Sequence, residues 1–141
     1  MDKRKIIIFD PWIYDIGGSE TWLYNLTTIL APYFDVLVLY DKAAPAQLER
    51  LKVPHEQYGN HYEYQCDILL NLFGGKPYKV KAGRYLQVIH QNLDEMGNRR
   101  FIPWEKIDGY IFVSEEAKKH FPASLIGKET VILENPIARA V

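Results

Sequence analysis

A short apolar run, a polar turn and an amphipathic segment, followed by the next apolar run, recur along this chain, and that alternation restricts it to stacked βαβ units. Residues 5–9 (KIIIF) are β-branched and uninterrupted, as in a strand covered on both faces, and the run stops at Asp10-Pro11. After the turn Gly17-Gly18-Ser19, the residues Trp22, Leu23, Leu26, Ile29 and Leu30 recur at spacings of three and four. This spacing predicts a helix capped by Ser19, favoured by Glu20 in its first turn and closed by Pro32.

The pattern continues with a strand at 36–40 (VLVLY) and a short helix at 45–51 begun by Pro45. An edge strand is expected at 53–58, because Pro54 fits poorly in a central one. Further strands are expected at 67–72 (DILLNL), 85–90 (YLQVIH), 109–113 (GYIFV) and 130–133, with a helix from Glu115 to Phe121 capped by Ser114. The fold class is therefore α/β: a doubly wound, mostly parallel sheet with helices on both faces. Residues 73–84 and 91–107 read as long connections, which in a compact domain often carry function. At 141 residues the chain is one domain over residues 1–133, and 134–141 read as the start of a linker.

Composition narrows the partners. Seventeen Lys and Arg residues against 18 Asp and Glu leave a net charge of −1. No global field attracts nucleic acid. The lone cysteine, Cys66, beside an apolar run, reads as a small buried thiol. The apolar run behind Lys3, Arg4 and Lys5 is too short for a signal peptide, and no run approaches a membrane span, so a cytoplasmic protein is expected. Basic residues from Lys76 to Arg84, interleaved with Tyr78 and Tyr85, read as a solvated face or as a contact with an anionic acceptor or a membrane surface.

In a parallel sheet, ligands bind beyond the carboxyl ends of the strands. The residues there are few. Gly17 and Gly18 allow close backbone approach, and the helix after them offers free N–H groups to a phosphate or sugar hydroxyl. His90 ends the strand YLQVIH, where a neutral imidazole can bond a substrate hydroxyl or move a proton; the alternative is a structural histidine. The dinucleotide pattern G-x-G-x-x-G is absent, and neither Gly74-Gly75-Lys76-Pro77 nor Gly127-Lys128-Glu129 is a P-loop. Gly17-Gly18-Ser19-Glu20-Thr21 lacks the second glycine of a hydrolase nucleophile elbow, and scattered histidines with one cysteine spell no metal site.

In order, KIIIF, IGGSETWLYNL, VLVLY, DILLNL, YLQVIHQN, IDGYIFVSEEAKKHF and VILENPI resemble the N-terminal domain of a GT-B glycosyltransferase of the retaining, family-4 type. The resemblance implies a Rossmann-like half of a two-domain enzyme, a hexosyltransferase moving a sugar from a nucleotide-sugar donor to a hydroxyl acceptor with retention and without a metal or other cofactor. It implies His90 as the catalytic-side residue and Gly17, Gly18, Ser19, Asn71, Asn92, Ser114 and Glu115 as substrate-binding residues. The partners it implies are a sugar or glycan acceptor and a C-terminal donor-binding domain, in cis or in trans, without which the chain is expected to be inactive. The competing reading is a stand-alone Rossmann- or flavodoxin-like ligand-binding module that performs no chemistry.

Overall fold

The structure, a computed structural model, describes residues 3–13, 18–72, 76–89, 104–119 and 129–133. Its elements, in chain order, are β1 (Lys5–Phe9), β2 (Trp12–Ile13), α1 (Gly18–Leu30), β3 (Asp35–Tyr40), β4 (Lys42–Ala43) and α2 (Pro45–Arg50). There follow β5 (His55–Gln57), β6 (Tyr64–Asn71), β7 (Val80–Ile89), β8 (Gly109–Phe112), α3 (Glu115–Lys119) and β9 (Glu129–Ile132). Seven strands form one sheet in the order β5-β3-β1-β6-β7-β8-β9, and every pairing in it is parallel. The first strand thus lies between the second and the fourth major strands, which is the Rossmann order. In the flavodoxin variant it would lie between the second and third, so that variant is excluded.

Alternation along the strands divides the interior in two. On β1, Ile6 and Ile8 join one core while Ile7 and Phe9 join the other; on β3, Val36 and Val38 part from Leu39 in the same way. The first core is closed by α1, whose Trp22, Leu23 and Leu26 are buried, with Leu48 of α2 beside them. Each such side chain contributes roughly 1.5–3 kcal/mol when fully withdrawn from water. Pro32 ends this helix as expected, and the Tyr33 and Phe34 N–H groups turn back onto the Leu30 carbonyl. Because α1 begins at Gly18, Ser19 lies inside its first turn instead of at the cap position.

The second face is covered differently from the first among the described residues. Among the described residues its helical cover is α3, which contributes Ala117; the rest comes from Tyr58, Tyr64, Trp104 and Ile107. One cause is length. Only residues 72–79 join β6 to the parallel β7, too few for a crossover helix. Aromatic rings take its place: Tyr58 packs edge-on against Phe9 and stacks on Tyr64, and Trp104 meets Tyr78 and Tyr85 edge-on at 5.8 and 5.4 Å. Their hydroxyls serve the backbone as well. Tyr58 Oη accepts from Lys79 N–H, and Tyr85 Oη accepts from Ala82 N–H while donating to the Val80 carbonyl.

Two strands begin earlier than their apolar runs. β6 starts at Tyr64 and not at 67, and β7 starts at Val80 and not at 85, so Lys81 and Arg84 belong to a strand and not to a loop over 73–84. The added segments pair Tyr64 with Val80, Gln65 with Lys81 and Cys66 with Ala82. Their inward residues join the second core while Gln65 and Lys81 face solvent. Carboxylates pin the strand starts: Asp67 Oδ2 accepts from Lys5 N–H and Asp108 Oδ2 from Tyr85 N–H. Arg84 pairs with Glu129 across β8. That passage needs Gly109, where a Cβ would come within 3.0 Å of the Glu129 carbonyl oxygen and 3.2 Å of Leu86.

Candidate functional site

A sheet in which all strands run parallel gathers their carboxyl ends on one edge, and ligands of such sheets bind where the connection reverses, here between β1 and β6. β1 ends at Phe9 directly beside Asn71, the last residue of β6. One transverse row crosses the sheet at this level: Leu39, Phe9, Asn71, Gln87, Tyr110 and Thr130 in successive strands. Three neighbouring positions in that row are polar and buried. Asn71 is 0% and Gln87 5% exposed, and Asn71 Nδ2 donates to Gln87 Oε1 at 2.8 Å. Gln87 Nε2 in turn donates to the Val88 carbonyl at 3.2 Å. Neutral amides in an apolar interior are costly unless bonded, and here one hydrogen bond joins the two. Burial pushes the neighbouring Tyr110 hydroxyl above its ordinary range, so it stays protonated.

Asp10 stands directly after β1 and is fully buried. Its N–H continues the ladder to the Leu39 carbonyl, and its Oδ1 accepts from Trp12 N–H at 3.3 Å, which turns the chain into β2. Asp10 belongs to the candidate site, although the sequence reading took it only as a strand stop. A carboxylate immediately after a buried apolar strand was the available signal. Gln87 was missed for another reason: it is embedded in YLQVIH, where the apolar neighbours dominate.

Of the residues expected to bind substrate, Gly18 opens α1, and Ser114 and Glu115 follow β8 at the carboxyl edge that also carries Asn71. Ser114 Oγ accepts from Ala117 N–H at 3.0 Å, so it caps α3 as its spacing predicts, while Glu115 is exposed. Gly17, His90 and Asn92 lie outside the described residues, as does the side chain of Ser19. A groove of about 550 Å³ between Lys3, Asp35, Lys52 and Val53 lies at the opposite, amino edge and touches none of these groups.

Among the described residues no three His, Cys, Asp or Glu side chains gather as a metal site, and no helix is long and apolar enough to cross a membrane. Cys66 is half-buried, and desolvation pushes its thiol up to about 11. At pH 8 its thiolate population is then more than about a hundredfold below that of an ordinary cysteine. We expect iodoacetamide to label Cys66 slowly in the native protein at pH 8, fast in urea, and increasingly as the pH approaches 11; labelling at equal rates in native and unfolded protein would refute this. Comparison with protein-family models, curated proteins and solved structures finds no match to this chain.

Proposed function

We propose that this chain forms the acceptor-side half of a retaining, nucleotide-sugar-dependent hexosyltransferase of the GT-B, family-4-like type. One observation carries the reading: a chain whose segments resemble that family in order folds into a sheet of Rossmann order, and Gly18, Asn71, Ser114 and Glu115 all fall at its carboxyl edge. In the proposed reaction the bond from the sugar C1 to the donor phosphate oxygen breaks. A new bond forms from C1 to the acceptor hydroxyl oxygen, whose proton passes to the departing phosphate oxygen.

The roles divide along the edge. His90 hydrogen-bonds the reacting sugar, and the Gly17-Gly18 backbone admits the substrate closely at the start of α1. Ser19, Asn92, Ser114 and Glu115 line the acceptor side, while Asn71, held by Gln87, fixes the floor beneath them. The nucleotide sugar is held by a second domain, in cis or in trans, and no metal is required. The same reading puts the enzyme in the cytoplasm, with peripheral membrane contact through the basic stretch 76–84.

The test is the stereochemistry of transfer. Proton NMR of the first-formed product from the enzyme containing this domain, supplied with UDP- or GDP-hexose, should show the donor's anomeric configuration preserved. An inverted product would refute the retaining assignment.

A further inference from the structure

At the outer edge of the sheet, β5 is shorter than the strand it joins. β3 runs from Asp35 to Tyr40, but β5 pairs only with Val38, Leu39 and Tyr40. Pro54 stops the ladder there. Its carbonyl accepts from the Val38 N–H, but a proline has no N–H to give to the next carbonyl down the parallel ladder, that of Val36. Asp35, Val36 and Leu37 therefore have no strand partner on that side. The gap left is the groove of about 550 Å³, a volume inside the range of about 300–1,000 Å³ for small-molecule sites. Every residue lining it is among the described ones.

The floor of the groove is apolar and its rim is charged. Val36 and Val53 are buried in the first core, and Phe34 packs against it. Asp35 and Lys52 are exposed and come from different segments, the start of β3 and the return from α2 to β5. Each is fixed at its base: the Asp35 N–H donates to the Arg4 carbonyl, and Lys52 is turned outward between the buried Leu51 and Val53. Among the described residues no ion pair joins the Asp35 carboxylate to Lys52 or to Lys3, although all three line the same groove. The Lys3 ammonium lies instead 3.5 Å from the Ala31 carbonyl. Opposite charges that share one groove without closing on each other, above an apolar floor, are the complement of a zwitterion.

We propose that this groove binds a free α-amino acid with an apolar side chain. Its carboxylate takes the Lys52 ammonium, its ammonium takes the Asp35 carboxylate, and its side chain lies on Phe34, Val36 and Val53. Both ion pairs are partly solvated, so neither alone is strong, and selectivity comes from satisfying both together with the floor. The length of β3, six residues or about 20 Å, separates the groove from the carboxyl edge. The amino acid is therefore not the substrate of the proposed transferase, and this inference does not rest on that reading.

Two-dimensional proton–nitrogen NMR of the isotope-labelled 141-residue chain tests it. Leucine and phenylalanine are titrated in, each beside its N-acetyl derivative, its amide and glycine. The backbone amides of 34–36 and 51–53 should shift saturably with leucine, phenylalanine or both, with a Kd at least about threefold below that of every control. Asp35→Asn and Lys52→Gln should each raise that Kd at least about threefold while the spectrum keeps its dispersion, since both side chains are exposed. No saturable shift with either amino acid, shifts confined to the carboxyl edge, a control that binds as tightly as the amino acid, or wild-type affinity in both variants overturns the proposal.

Discussion

Trp104→Ala should lower the free energy of unfolding by about 3–5 kcal/mol, the range for emptying a buried aromatic site. Trp104 is nearly fully buried against Tyr78 and Tyr85 and belongs to the segment that, with Ile107, covers the second face of the sheet. On the first face a thirteen-residue helix supplies the cover, and loss of one ring there leaves its neighbours Leu23 and Leu26 in place. On the second face the ring packs edge-on against Tyr78 and Tyr85, and both lose that contact when it is removed. Urea unfolding followed by far-ultraviolet circular dichroism measures the loss, with Tyr62→Ala, at a position 94% exposed, as the control expected to change little. A loss below about 1 kcal/mol for Trp104→Ala would mean that the aromatic cover is not what holds this face.

His90→Ala in the enzyme containing this domain should lower kcat by about a hundredfold or more, the scale for removing one hydrogen-bonding group that acts on the reacting centre in the transition state. Stability should stay within the range of a surface change. The proposal assigns His90 to the reacting sugar and no part of the core. A fall in kcat with acceptor KM held would identify a transition-state contribution; a rise in KM alone would identify uniform binding. Wild-type turnover would return His90 to a structural role.

The central strands and their parallel pairing were legible because β1, β3 and the carboxyl half of β6 are continuous β-branched or aliphatic runs, buried on both faces, and such runs announce a parallel sheet. The amino halves of β6 and β7 were not legible as strands. There the sheet is covered on one side only, so Tyr64, Cys66, Val80 and Ala82 alternate with exposed Gln65 and Lys81, and the charges read as loop. The two-residue strands β2 and β4 escape any periodicity argument, since two residues define no period. Helical cover of both faces is expected from the alternation of strands and connections; on the second face the described cover is α3 together with the aromatic packing of Tyr58, Tyr78 and Trp104.

Site legibility followed the same physics. Ser114 announced itself by the spacing of a helix cap, and it caps α3. Asn71 entered only through the resemblance, and its partner Gln87 is sixteen positions away, so only the parallel register of β6 and β7 brings the two amides to 2.8 Å. Asp10 was hidden by its proline neighbour. Long-range pairs of this kind leave no local trace in a sequence, because neither member requires the other until the strands have been aligned.

The central claim is that this chain supplies one side of a two-sided active site. It is tested most directly by assaying sugar transfer from labelled UDP- and GDP-hexoses with the 141-residue chain alone and, in parallel, with the chain joined to its donor-binding domain. The account predicts turnover only in the second case. Turnover of a nucleotide sugar by the 141-residue chain alone, or its absence from both, would contradict it.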